Sequence, residues 1–141
     1  MSRIYWDTML FIYWTEEHPQ YADRVAELHS RMMTRGDTLC TSVFTAGEVL
    51  CGLYRTGAAE QARQIKEFFN PPNVEMLPFN LETADRYAQI RGKNKVSPAD
   101  AVHLATAAES QTTLFLTNDD RLKRLVIAGI DFIAGLDVDL F

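Results

Sequence analysis

Four acidic residues stand where the chain passes from one kind of segment to another: Asp7, Glu48, Asp100 and Asp119. Asp7 closes the short apolar run Arg3-Ile4-Tyr5-Trp6 and precedes the periodic stretch Met9, Leu10, Ile12, Tyr13, so it marks a strand-to-helix junction. Glu48 lies in the opening turns of a helix that follows the strand-like Thr38-Leu39-Cys40-Thr41-Ser42. Asp100 falls in the first turn of a helix announced by Ser97 as N-cap and Pro98 at the first helical position. Asp119 follows the apolar run Leu114-Phe115-Leu116-Thr117, inside Asn118-Asp119-Asp120. Each acid has a plain alternative as a helix cap, and Thr45-x-x-Glu48 has the form of a capping box. Ser97, Thr45 and Asn118, however, already supply neutral capping groups beside three of the four acids, so capping alone does not call for the charge.

A fold that gathered these carboxylates would need something to offset their repulsion, about 4 kcal/mol for one like pair at 4 Å and an effective dielectric near 20. Either some are protonated or a hard divalent cation sits among them, and an all-oxygen set without His or Cys suits Mg²⁺ or Mn²⁺ rather than zinc. Such a site hydrolyses phosphodiesters without a protein nucleophile. No Ser-His-Asp or Cys-His set, Gly-rich phosphate loop or HExxH motif competes with that reading. Thr117 and Asn118 stand at the rim, placed to hold a water or a phosphate. His18 and His29 lack partners at ligand spacing, and His103, three residues after Asp100, reads as a packing or hydrogen-bonding residue.

The elements that would carry these residues follow from periodicity and punctuation. Between the first two strands a helix is expected from His18-Pro19 to Arg35, ended by Gly36. A helical hairpin follows, to Arg55 and then from Ala58 to Phe69, broken at Thr56-Gly57. Val74 to Pro78 reads as a third strand, Leu81 to Arg91 as a helix, and Gly92-Lys93-Asn94-Lys95 as an exposed basic loop. After the Ser97 helix and the fourth strand, a helix is expected from Arg121 to Ala128, then a last strand, Asp131 to Ala134, with a frayed tail to Phe141. The order β-α-α-β-α-α-β-α-α-β-α-β predicts an α/β fold, a mostly parallel central sheet wrapped by helices. Strand order is not readable from it.

With 141 residues, 47% apolar content and 23% charge, the chain is expected to form a single domain spanning 1–141. No apolar run approaches the ~20 residues of a membrane span and the N-terminus lacks a signal-peptide pattern, so no membrane role and a cytoplasmic location are expected. Cys40 and Cys51 form no CxxC pair and are expected to be inert, buried thiols of a reducing compartment. The net charge of −5 gives no overall basic footprint for nucleic acid. Arg91, Lys93, Lys95, Arg121, Lys123 and Arg124 flank the central stretch, either as a local basic rim or as solvated helix faces.

Over essentially its whole length the chain resembles the PIN-domain family, and within it the VapC-type toxins of prokaryotic toxin–antitoxin pairs. The resemblance is carried by four motifs in order: Tyr5-Trp6-Asp7-Thr8-Met9-Leu10-Phe11-Ile12, Thr41-Ser42-Val43-Phe44-Thr45-Ala46-Gly47-Glu48-Val49-Leu50, Pro98-Ala99-Asp100-Ala101-Val102-His103-Leu104-Ala105-Thr106-Ala107, and Leu116-Thr117-Asn118-Asp119-Asp120. It implies a PIN-like fold and an acidic metal site of Asp7, Glu48, Asp100 and Asp119, with Asp120 as an alternate ligand and Thr8, Thr117 and Asn118 in support. It further implies a Mg²⁺- or Mn²⁺-dependent endoribonuclease acting on RNA, a homodimer, and inhibition by a cognate antitoxin protein, for which the hairpin from Val49 to Phe69 is the expected contact surface. Alternatives are a PIN nuclease of RNA processing or decay, a non-catalytic RNA-binding PIN module, and a receiver-like signalling domain. The last would show paired acids after the first strand, where Asp7 stands alone.

Overall fold

The computed structural model describes residues 2–140. Its elements are β1 (Arg3–Trp6), α1 (Thr8–Thr15), α2 (Ala22–Arg35), β2 (Thr38–Ser42), α3 (Val43–Arg55), α4 (Ala59–Phe68), β3 (Glu75–Leu77), α5 (Leu81–Lys93), α6 (Pro98–Glu109), β4 (Thr112–Leu116), α7 (Asp120–Lys123) and β5 (Ile130–Ala134). The element order is the expected one. The strands form one five-stranded sheet in the order β3-β2-β1-β4-β5, and every pairing within it is parallel. The helices must therefore serve as crossovers and cover the faces.

Side-chain alternation along the strands divides the core in two. Ile4 and Trp6 of β1 point with Leu39, Leu114 and Leu116 into a layer completed by α1, α2 and the α3–α4 hairpin. Tyr5, Cys40 and Phe115 point the other way, onto α6 and Ile90 of α5. Helix α6 is buried almost all round, which is why its apolar residues show no single stripe; Ala101, Ala105 and Ala108 let its backbone approach the sheet closely. The turn into β5 is equally tight: Gly129 has φ +98°, and a Cβ there would lie 2.4 Å from the carbonyl oxygen of Ala108. Among the described residues no helix is long and apolar enough to cross a membrane.

Several boundaries differ from expectation for local reasons. Helix α2 begins at Ala22, not at His18, because His18 Nδ1 accepts the N–H groups of Gln20 and Tyr21 and closes a turn ahead of it. Helix α5 runs through Gly92 to Lys93 instead of releasing a loop there. Helix α7 stops at Lys123 and not at Ala128. Leu122 and Ile127 are both buried, and at a spacing of five a single helix would turn them to different sides. Cys40 is buried as expected, but Cys51 lies on the exposed face of α3. The segment after β5 is not frayed: Leu136 and Leu140 are buried in the first core layer, and Arg24 donates to the carbonyls of Leu136 (2.6 Å) and Val138 (2.5 Å). Phe141 lies outside the described residues.

Candidate active site

The neighbouring central strands β1 and β4 end side by side, and their ends build the site. Trp6 pairs with Leu116, and the N–H of Asp7 continues the ladder to the carbonyl of Leu116 at 3.0 Å. Asp7 is the N-cap of α1, its Oδ1 accepting from the N–H of Thr8 at 2.8 Å. Its Oδ2 accepts from the Thr117 hydroxyl at 2.8 Å, and that hydroxyl in turn accepts from the N–H of Asp119 at 3.1 Å. Only 8% of Asp7 is exposed. Burial raises its pKa against the opposing influence of His103, Thr117 and Thr8, and the charge of Asp100 adds to the rise.

Glu48 reaches the same place from α3. Its Oε1 accepts from the Thr8 hydroxyl at 2.6 Å and stands 2.8 Å from Nε2 of His103. Burial raises its pKa, but the hydrogen bonds from His103 and Thr8 outweigh that and leave the carboxyl below its ordinary range. Asp100 sits in the first turn of α6, its backbone N–H held by the Ser97 hydroxyl at 3.1 Å. Asp119 caps α7 and is held below the ordinary carboxylate range first by its hydrogen bond with Arg121, 2.7 Å from Nη2 to Oδ2.

All four acids line one cleft of about 400 Å³, together with Thr8, Asn118 and His103, and Met9, Ile12 and Tyr13 form its apolar wall. The lining of a larger surface depression of about 740 Å³ includes three acids, Glu82, Asp85 and Glu109, and also Arg86, which is ion-paired with Glu109 at 2.9 Å. As the side chains stand, no three His, Cys, Asp or Glu among the described residues form a group that could hold a metal ion. The reason is visible: Asp119 is turned onto Arg121 and Glu48 onto Thr8 and His103. The chemistry of the set, four carboxylates around one cleft, still fits a hard divalent cation.

The PIN domain family model matches residues 4–127. This chain belongs to the PIN domain family. Solved structures similar to this PIN domain include that of VapBC2 from Rickettsia felis bound to a DNA fragment from its promoter, with a TM-score of 0.76 and 16% identity over 94% of this chain and 98% of that one. A chain of VapBC-5 from Mycobacterium tuberculosis aligns with a TM-score of 0.63 and 22% identity over 94% and 98%. One of FitAcB from Neisseria gonorrhoeae aligns with a TM-score of 0.63 and 23% identity over 84% and 88%. No curated protein matches the chain.

In this PIN domain the caps are distributed differently from the sequence reading. Ser42, not Thr45, caps α3, accepting from the N–H of Thr45 at 3.0 Å, so there is no capping box and Glu48 is free to face the cleft. Asp119 itself, not Asn118, caps α7; Asn118 donates to the hydroxyl of Tyr13 at 3.1 Å. Asp120 points elsewhere, paired with Lys123 at 2.8 Å, and does not line the cleft. The apolar wall of Met9, Ile12 and Tyr13 carried no sequence signal beyond helical periodicity.

Proposed function

We propose that the chain is a metal-dependent endoribonuclease, the toxin of a toxin–antitoxin pair, with the single PIN domain spanning 1–141. The observation that carries this reading is the convergence of Asp7, Glu48, Asp100 and Asp119 on one cleft. Those four carboxylates would hold Mg²⁺ or Mn²⁺. A divalent ion there supplies Lewis acidity, lowering the pKa of water and neutralising charge that builds on a phosphodiester. The chain's own residues do the rest. Thr117 and the N–H of Thr8 fix the Asp7 carboxylate, Thr8 and His103 fix Glu48, and Asn118 is held at the rim by Tyr13. Arg121 already stands on Asp119 and gives the cleft a cation at its mouth for an RNA phosphate.

The structures of similar fold support a protein partner, since one is of a toxin–antitoxin complex and another is of a member of the VapBC family of toxin–antitoxin systems. An antitoxin segment would find apolar contacts at a groove of about 350 Å³ lined by Trp14, Ile65 and Phe68, where α4 of the hairpin meets the end of α1. A homodimer and a cytoplasmic location complete the reading.

A second reading, a non-catalytic RNA-binding PIN module, is favoured by one observation: Asp119 is paired with Arg121 at 2.7 Å. Cleavage of labelled single-stranded and transfer RNAs, with Mg²⁺, with Mn²⁺ and with EDTA, separates the two. The nuclease requires metal-dependent cleavage that is lost in Asp7→Asn and in Asp100→Asn. Folded protein that binds RNA but cuts none in any metal gives the second reading.

A further inference from the structure

His103 is buried, and both of its ring nitrogens are engaged. Nε2 stands 2.8 Å from Oε1 of Glu48 and 3.1 Å from the Thr8 hydroxyl. Nδ1 stands 2.7 Å from the hydroxyl of Tyr5 and 3.3 Å from that of Thr45. The ring is covered by Phe44 on one side, centroids 5.5 Å apart, and meets Tyr5 edge-on at 5.9 Å. These contacts come from three elements, β1, α1 and α3, and they leave the imidazole little freedom to turn.

The direction of each hydrogen bond can be worked out. A carboxylate oxygen accepts only, so the nitrogen facing Glu48 must carry hydrogen. With the hydrogen of the neutral ring on Nε2, Nδ1 is an acceptor, and the Tyr5 hydroxyl, 2.7 Å away, donates to it. The Thr8 hydroxyl donates to Glu48 at 2.6 Å. Both donors thus meet on Oε1, and among the described residues none donates to Oε2, although the side chain is 32% exposed to the cleft.

We propose that His103 is a positioning residue: a one-way hydrogen-bond relay, from the Tyr5 hydroxyl through the imidazole, that pins one oxygen of Glu48 and presents the other to a divalent cation in the cleft. This rests on the nuclease reading for the identity of the ligand, but the relay itself is a property of the metal-free protein. Metal ligands are commonly oriented in this way by partners that do not touch the ion, and loss of such a partner weakens binding by about 10- to 100-fold.

The test has two arms. In metal-free wild type, ¹⁵N NMR of the imidazole is expected to show hydrogen on Nε2 and none on Nδ1, and Tyr5→Phe is expected to shift that balance; hydrogen on Nδ1 in the wild type overturns the relay. In the second arm, Mn²⁺ dissociation constants are read by electron paramagnetic resonance. His103→Leu, which keeps an apolar body but no donor, is expected to bind about 10-fold more weakly or worse. His103→Gln, which can keep a donor near the Nε2 position, is expected to recover part of that loss. Equal Mn²⁺ affinity in folded His103→Leu and wild type overturns the proposal, and if the leucine variant fails to fold, equal affinity in His103→Gln, Tyr5→Phe and wild type does so. Absence of Mn²⁺ binding by wild type defeats the nuclease reading instead, and the tautomer then decides the relay alone.

Discussion

At the scale of single residues, the protein keeps a charge where burial resists it. With the Asp7 pKa raised by burial, the folded state holds a proton at pH values where the unfolded chain has lost it. Stability from this group is therefore full below the ordinary carboxylate pKa and falls as pH rises through the raised folded value. Asp7→Asn keeps an equally good helix cap and removes the charge. In EDTA at pH 7 its Tm is expected to exceed that of wild type, and the gap is expected to close toward pH 4; thermal unfolding across that range checks both. The Asp119–Arg121 pair makes a complementary point. Arg121→Gln is expected to return the Asp119 carboxyl toward its ordinary range and, if a cation competes with the guanidinium, to tighten Mn²⁺ binding a few-fold in a direct titration. The two thiols should also part company. Burial pushes Cys40 up to about 12 whereas Cys51 is exposed, so a maleimide at pH 7 is expected to label one thiol per native chain and both after denaturation.

At the scale of elements, the site depends on helix starts, because Asp7, Asp100 and Asp119 each stand within a turn of one. Ser42→Ala and Ser97→Ala are each expected to cost about 1 kcal/mol in denaturant unfolding. The first also loosens the helix that delivers Glu48, since Ser42 contacts Thr45 through both its N–H and its hydroxyl. These starts were legible in the sequence wherever the capping signal was local: Ser97-Pro98, Gly36 and the strand runs told nearly all of the element order. Signals that reached across elements were not legible. Thr45-x-x-Glu48 has the form of a capping box, yet Glu48 satisfies itself on Thr8 and on His103, 55 residues away, contacts that no local spacing encodes. Likewise Arg121 to Ala128 is polar enough for a helix, but the burial of both Leu122 and Ile127 ends it early. Strand order was hidden because parallel crossovers of similar length fit several orders.

At the scale of the whole molecule, the segment after β5 is fastened back onto the first core layer by α2. Arg24 of α2 ties down the chain beyond β5 through two carbonyls, and Arg31 adds a third at Leu140, 3.0 Å away. Arg24→Ala is expected to cost about 1–3 kcal/mol and to expose the tail to limited proteolysis at a rate the wild type does not show. Strand order has a further consequence, in time and not in space. Asp7 waits for Thr117, 110 residues later in the chain, before its carboxylate is held. At about 5–20 residues per second, a ribosome takes about 5–20 s to travel that distance. During that interval β1 can pair only with β2, and its other edge stays open because β4 has not been made. A translation product that stops short of Thr117 therefore lacks both the hydroxyl that holds Asp7 and the carboxylate of Asp119, so an aborted synthesis leaves an inert fragment and only a chain made past Asp119 can assemble the site.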